Sequence, residues 1–585
     1  MLFALVFNDL RGQGGAAIFT KVSGSPVVST PGDSRSVNWI DVDGDRDLDL
    51  FITNGPSGGE NNFLYLNDGT GNFSKAANGP ITQDGKPSDG ATWADVDNDG
   101  DADCFVANWY GANNLFYLNN GNGAFAQVTV GQLVNDGGYS ETAAWGDYNS
   151  DGWVDLYVTN SDGNKRNFLY RNKGDGTFEK VASGAPALDA NISRSANWVD
   201  FDMDGDVDLF VTNESGQHEN LYRNDNGAFT KITLGALVND GGNTMSSSWG
   251  DMDNDGDFDV FLANDGGNDA LFRNDGNGQF VKLANDPAST SGGNSFGSNW
   301  ADVDNDGDLD LFVTNSFWGG PWQNFLFLND GTGRFIRNTT EVVATDLGWS
   351  YGNAFGDFDR DGDLDLAVAT CLNANQLDYL YKNNSSENGN HWLVVECTGT
   401  TSNRSAIGAK VWVKATIGGQ SVTQLREISA QSGYCGQNQL APHFGLGDAT
   451  QVESLTVQWP SGLEQVFGNI AANQYIQIVE GQGVSGLQPQ PVPSGFALLS
   501  PMPNPFVDSV TFSFSTQNKV SVRVEISDAA GNRVRTFPAR DFAEGGHQLV
   551  WDGRDTGGEH VAGGVYFAHF LVDGHTLAKQ VVKVE

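Results

Sequence analysis

The feature that most constrains this chain is a run of aspartates at alternate positions, seen in Trp300-Ala301-Asp302-Val303-Asp304-Asn305-Asp306-Gly307-Asp308-Leu309-Asp310-Leu311-Phe312. Such a run cannot enter an apolar core. Two carboxylates about 5 Å apart repel by roughly 3 kcal/mol at an effective dielectric of about 20. A hard divalent cation removes that repulsion. Calcium takes roughly six to eight oxygen ligands, and alternating Asp side chains with a backbone carbonyl supply them. Gly307 permits the positive φ of a tight loop. The spacing matches the start of an EF-hand loop. This loop, however, closes with Asp310 at its ninth position and runs into apolar Leu311-Phe312-Val313, so a strand follows and not a helix. A single copy would read equally well as an acidic surface turn.

The motif occurs seven times, with first aspartates separated by 54, 52, 53, 51, 51 and 55 positions. Self-similarity at this period marks a solenoid, propeller or array. The candidate metal ligands are Asp41, Asp43, Asp45, Asp47 and Asp49; Asp95, Asp97, Asp99, Asp101 and Asp103; Asp147, Asn149, Asp151, Trp153 (through its carbonyl) and Asp155; Asp200, Asp202, Asp204, Asp206 and Asp208; Asp251, Asp253, Asp255, Asp257 and Asp259; Asp302, Asp304, Asp306, Asp308 and Asp310; and Asp357, Asp359, Asp361, Asp363 and Asp365. About seven Ca²⁺ are expected, one per loop.

Around each loop the pattern reads as four short strands. The first ends in an aromatic two residues before the loop: Trp39, Trp93, Trp145, Trp198, Trp249, Trp300 and Phe355. The second follows the loop, the third resembles Phe63-Leu64-Tyr65-Leu66-Asn67, and a Gly-rich hairpin leads to the fourth. Four antiparallel strands per period fit a propeller blade. The seventh unit lacks its fourth strand, while Ala17 to Val22 carries that strand's pattern. The expectation is an all-β, seven-bladed propeller over 16–388, closed by residues 17–22, with the aromatics packed between blades. Closure would remove open sheet edges.

The loops resemble the calcium-binding FG-GAP/VCBS repeats of integrin-like propellers. That resemblance implies ligation by the first, third, fifth and ninth residues, with the seventh giving its carbonyl. Two loops depart from it. The third has Asn149 and Trp153, which predicts a weaker site. The first has Arg46 in place of Gly, with Gly44 two places earlier, which leaves its turn geometry and its calcium open.

Residues 389–480 change character. Asn390-His391-Trp392-Leu393, Ser402-Asn403-Arg404-Ser405, His443-Phe444-Gly445-Leu446-Gly447 and Trp459-Pro460-Ser461-Gly462 resemble an ASPIC/UnbV domain. That family passes no catalytic residue to this chain, and structural hydrogen bonding is the expected role of Arg404, His391 and His443. A Pro-rich linker spans 481–495. Residues 496–585 resemble the Ig-like domain of flagellar hook-capping proteins and type IX secretion sorting signals, through Pro503-Asn504-Pro505-Phe506, Trp551-Asp552-Gly553 and Gly564-Val565-Tyr566. A β-sandwich is expected there, and the resemblance implies export.

A formal charge of −42 argues against binding nucleic-acid backbones or anionic membranes. No apolar run approaches the roughly 18 residues of a membrane span. Met1 to Phe7 is apolar but too short for a good signal peptide, and is the remnant of one or a mis-set start. Cys104 reads as a small core residue, and Cys397 and Cys435 are candidates to pair.

No catalytic residue is assigned. Gly348-Trp349-Ser350-Tyr351-Gly352 fits G-x-S-x-G, but a nucleophile elbow needs a strand-to-helix turn. The stretches Trp318 to Gln323 and His218 to Asn220 are only mild irregularities in the repeat. The reading is a secreted or cell-surface calcium-binding adhesion module with a protein or glycan ligand. The alternatives are a carbohydrate-active enzyme, lyase or glycosidase, on the same scaffold, and a self-assembling subunit of an extracellular structure.

Overall fold

The computed structural model describes residues 17–487 and 496–584, apart from 78, 317–320, 372–375, 499–500, 502–505, 517–518, 529–532, 544 and 573–574. The apolar N-terminal stretch, residues 488–495 of the expected linker, the Pro503–Pro505 motif and part of Trp318 to Gln323 therefore lie outside the described residues. The chain divides into two compact units, Met1–Gly486 and Leu487–Glu585.

The larger unit contains seven four-stranded antiparallel blades. Blade one runs through Ser34–Ile40, Asp49–Asn54, Phe63–Asn67 and Phe73–Lys75. Its second strand is buried on both faces, as a strand between neighbouring blades must be. The ring closes where Phe19–Lys21 pairs with Tyr379–Asn383, completing the seventh blade.

Two side-chain devices stitch the blades. The indole N–H of Trp39 donates to the carbonyl of Ala354 in the preceding blade at 3.1 Å, and Trp145, Trp198 and Trp300 repeat the bond. The indole N–H groups of Trp93 and Trp249 find no such partner among the described residues. The asparagine ending each third strand does more. Asn67 donates from its side chain to the carbonyl of Phe358 in the preceding blade's acidic loop. Asn119, Asn172, Asn224, Asn274, Asn329 and Asn383 make the equivalent bond around the ring.

Each first strand carries a register shift near its start, as between Ser34 and Val37 or Ser140 and Ala143. The bulge re-aims one side chain per blade. These are Arg35, Asp89, Glu141, Arg194, Met245, Phe296 and Tyr351, and they converge at the ring's centre.

Residues 391–487 add two four-stranded sheets, one of them pairing His391–Thr398 in parallel with Gln474–Val479 and ending in Val484–Leu487, so the sheet runs into the stretch expected to be linker. The Thr400–Ser402 turn wraps the carboxylate of Glu480 with three backbone N–H groups. This module shares one apolar core with the second and third blades. Its segment 429–439 fills the middle of the ring. Gly436–Gln437 pairs in parallel with the first strand of blade one. The segment also bonds Thr92, Asn197, Ser246 and Phe355. A Cβ on Gly436 would stand 2.0 Å from the carbonyl of Asn353, so only glycine passes there. Cys435 is buried inside this plug and Cys397 sits in a strand of the module; both are free thiols, so the two candidates do not pair.

The smaller unit has a three-stranded sheet containing Val510–Thr516 and a four-stranded sheet containing Val520–Asp528 and Gly564–Val572. Phe512, Phe514, Trp551 and Phe570 fill the space between them.

Candidate metal centres on the acidic loops

The loops share a common set of backbone bonds. The first carboxylate accepts the N–H of the sixth residue, as Asp302 does from Gly307 at 2.9 Å and Asp41 from Arg46 at 2.9 Å. In six loops the ninth carboxylate is clamped between the N–H of the second residue and that of the asparagine at the end of the third strand. Asp49, for example, accepts Val42 at 3.0 Å and Asn67 at 2.8 Å. Asp155 of the third loop instead accepts Asn172 and keeps a buried Oδ2 without a partner among the described residues. The ninth aspartate thus ties strand to loop as well as facing the cluster.

Positive φ is needed at the fourth and the sixth positions, as at Asn305 (60°) and Gly307 (102°). In the first loop the pair is Gly44 (75°) and Arg46 (74°), so the turn survives the missing glycine. The frequent asparagine at the fourth position is a signal that sequence reading passed over. Its short polar side chain tolerates the left-handed region better than most.

The carboxylates converge. In four loops the first, third and fifth aspartates each place a ligand atom within 4.8 Å of the others: Asp41, Asp43 and Asp45; Asp95, Asp97 and Asp99; Asp251, Asp253 and Asp255; Asp302, Asp304 and Asp306. In the fourth loop Asp200, Asp202 and Asp208 do so. Five third-position carboxylates keep a buried Oδ1 with no partner among the described residues: Asp43, Asp202, Asp253, Asp304 and Asp359. Burial, with neighbouring like charges, pushes Asp302 up to about 8 and Asp306 up to about 9. Burial likewise lifts Asp41 to about 6, Asp95 to about 7 and Asp357 to about 8. Loop seven differs, because Lys382 on the adjacent strand contacts Asp359 and lies 3.1 Å from Asp361.

The loop face is also the seat of the 391–479 module. Lys410 meets Asp200 at 2.6 Å with both side chains buried, Arg404 lies 3.7 Å from Asp95, and the Tyr475 hydroxyl donates to Asp357. His443 Nε2 contacts the carbonyl of Gly362 at 2.9 Å, and His391 bonds Asn473. At Gly362 a Cβ would fall 1.8 Å from the Trp392 indole. Beside Arg46 the two layers part, leaving a cavity of about 230 Å³ lined by Arg46, Arg360, Glu396 and Tyr475.

Family models match at three places. The FG-GAP-like repeat model matches 41–106, 95–158, 147–211, 200–262, 251–313 and 316–368, together more than half of the chain. The chain belongs to the FG-GAP-like repeat family. The ASPIC and UnbV model matches 399–485, and the FlgD Ig-like domain model matches 506–569. This FG-GAP repeat chain is 28% identical over 313 residues to cartilage acidic protein 1 of Xenopus tropicalis, covering 53% of the chain and 40% of that protein. The human protein of that name is 27% identical over 338 residues, covering 56% and 41%. The chain thus spans about two fifths of the length of these relatives. A lectin from Agrocybe aegerita aligns at TM-score 0.37 and 17% identity, over 58% of this chain and 85% of its own. Likeness at that level carries no argument about ligands.

Ser350 of the G-x-S-x-G match is fully buried at the start of the strand Ser350–Gly356, with no strand-to-helix turn around it. No described helix is long and apolar enough to cross a membrane.

Proposed function

We propose that the chain is a calcium-stabilised, extracellular binding module whose acidic loops each hold a structural Ca²⁺. The observation that carries this reading is the set of five third-position carboxylates with a buried, partnerless oxygen. A buried carboxylate oxygen without a partner is costly; Lys382 meets the other oxygen of Asp359, and the remaining four describe a repeated demand for a cation. Oxygen-only clusters of this kind suit a hard divalent ion. The loops lie under the 391–479 module and the plug fills the ring's centre. A macromolecular ligand is therefore expected on the opposite face, where the loop after Asp103–Asn108 presents Trp109 against Tyr110 and Tyr139, with Tyr110 exposed. An aromatic patch of that type suits a glycan or a protein partner.

Calorimetry of the full chain in millimolar calcium and in chelator tests the calcium reading. Each site contributes about 2.7 kcal/mol when free calcium is 100-fold above Kd, and about 1 kcal/mol or less near Kd. Several sites on one ring should therefore lower Tm by about 5 to 20 °C on chelation. A melt indifferent to chelator overturns the reading. A glycan array probed with the intact chain and with Tyr110→Ala then tests the ligand face, and equal binding by both would remove it.

A further inference from the structure

A second cavity, of about 140 Å³, lies between blades four to seven and the 391–479 module. Its walls are aromatic: Trp198, Trp249, Trp300, Phe258 and Phe355 all line it. Four buried polar atoms on its lining residues have no partner among the described residues. They are Trp249 Nε1, Asn299 Oδ1, Gln431 Oε1 and His443 Nδ1. Asn299, Gln431 and His443 are each more than nine-tenths buried.

The role of each atom follows from its other bonds. His443 Nε2 faces the carbonyl of Gly362, which only accepts, so Nε2 carries the proton and Nδ1 is an acceptor. Asn299 donates its amide to Asn353, and Gln431 donates its amide to the carbonyl of Gly433, which leaves both side-chain oxygens as acceptors. Trp249 is the donor. In Trp39, Trp145, Trp198 and Trp300 the same N–H bonds the preceding blade. Trp249 forgoes that bond on the cavity wall. Arg426 adds guanidinium N–H groups beyond the two it spends on Leu425 and Gln424. The nearby Asp251, Asp302 and Asp308 offset its charge.

We propose that this cavity is a binding site for a small, neutral, planar ring compound that both donates and accepts hydrogen bonds. An apolar pocket with a few convergent polar groups is the usual form of a small-molecule site. Its volume resembles that of an engineered cavity of about 150 Å³ that holds benzene, which sets the ligand at about six to nine non-hydrogen atoms. Water would satisfy these polar atoms but leave the aromatic walls without apolar contact, whereas a ring compound meets both. Asp302 of the sixth loop also lines the cavity and acts on Arg426, so the titration is run both in calcium and in chelator, and the proposal requires saturable binding in both.

Benzamide is a fitting probe: it has an aromatic ring, two N–H donors for the three acceptors, and a carbonyl for Trp249. Titrated into the full chain at millimolar concentration, it should quench tryptophan fluorescence saturably and raise Tm by about 1–3 °C. Acetamide and toluene, each holding half of that chemistry, should bind at least about tenfold more weakly. Trp249→Phe keeps the ring but removes the donor, and should weaken benzamide about tenfold. Gln431→Leu should do the same if the variant melts cooperatively; if it does not fold, Trp249→Phe decides alone. The proposal falls if benzamide binds wild type and Trp249→Phe equally. It also falls if no saturable response appears, or if crystals soaked in benzamide show only water in the cavity.

Discussion

Asp304 in the sixth loop, half-buried with one oxygen fully covered, and Glu141, fully buried at the ring's centre, are both acidic groups, yet their surroundings have opposite character. Asp304 is flanked by Asp302 and Asp306, and its Oδ1 has no partner among the described residues. Glu141 accepts Arg194 at 2.6 Å, the Tyr434 hydroxyl at 2.7 Å and the Ser161 hydroxyl. Burial alone would raise Glu141; the Arg194 guanidinium, with those hydroxyls, outweighs it and holds the carboxyl below its usual range. In the loop, burial and the neighbouring carboxylates act in the same direction and lift Asp302 and Asp306. The centre of the ring carries its own cations. The loops hold an excess of carboxylates that Lys410, Arg404 and Arg426 meet only in part. Loop seven lies between the two, because Lys382 places an ammonium beside its carboxylates.

The comparison breaks most visibly by removing one partner on each side. Arg194→Leu strands Glu141 as an uncompensated buried charge, which costs about 3–5 kcal/mol. The loss should be the same in calcium and in chelator. Asp304→Asn should cost about 1–3 kcal/mol in calcium by loss of one ion, and close to nothing in chelator, where it relieves repulsion. Urea unfolding of both variants under both conditions measures the four differences. A calcium-dependent loss in Arg194→Leu, or a calcium-independent one in Asp304→Asn, would contradict the division drawn here.

Acidity sharpens the same contrast at smaller scale. Without calcium, Asp41, Asp95, Asp302 and Asp357 titrate between about 6 and about 8 in the folded chain. Their unfolded values are about 3.9. The folded state therefore holds protons that the unfolded state has released, so stability is greatest when these groups are protonated and falls as pH rises through their folded pKa values. Chelated protein should lose Tm steadily from pH 5 to pH 8, by several degrees. Calcium competes with those protons for the same oxygens, so the calcium-induced gain in Tm should grow over the same interval. A chelated melt that strengthens toward pH 8 would show that the loop carboxylates are neutralised from within the fold.

Much of this architecture was legible in local patterns. The 51-to-55-residue spacing and the aromatic before each loop act within a repeat or between adjacent blades, and the displaced strand at Phe19 was legible, although its partner Tyr379–Asn383 is distant, because it carries the pattern the seventh unit lacks. The asparagine stitch was equally legible, since Asn67 and its six counterparts end every third strand, but its role needs the ring closed before its partner exists. The plug was not legible. Gly433-Tyr434-Cys435-Gly436 bonds residues 188 to 346 positions away, and no periodicity records such contacts. Whether Cys397 and Cys435 pair was open in the sequence for that reason: one thiol follows the plug into the ring while the other stays in a strand of the module. The channel residues were hidden because a bulge, not the strand alternation, points Arg35, Asp89 and Glu141 inward.

Arg46 gives the smallest test. It holds a φ of 74° without being glycine, a strain of about 1 kcal/mol. The position is glycine in the other six loops, where the reverse exchange is barred in places by the module above, as Trp392 bars it at Gly362. Over the first loop the layers separate into the cavity beside Arg46, so a side chain has room there. Arg46→Gly should relieve the strain and retain the N–H bond to Asp41. It gives up only a charge near Glu396, which keeps Arg360 at 3.8 Å. The net expectation is a stabilisation of about 0.5–1 kcal/mol, seen as a small rise in Tm both with and without calcium. A loss of stability instead would mean that Arg46 is retained for its charge in that cavity and that loop one is not simply a strained copy of the other six.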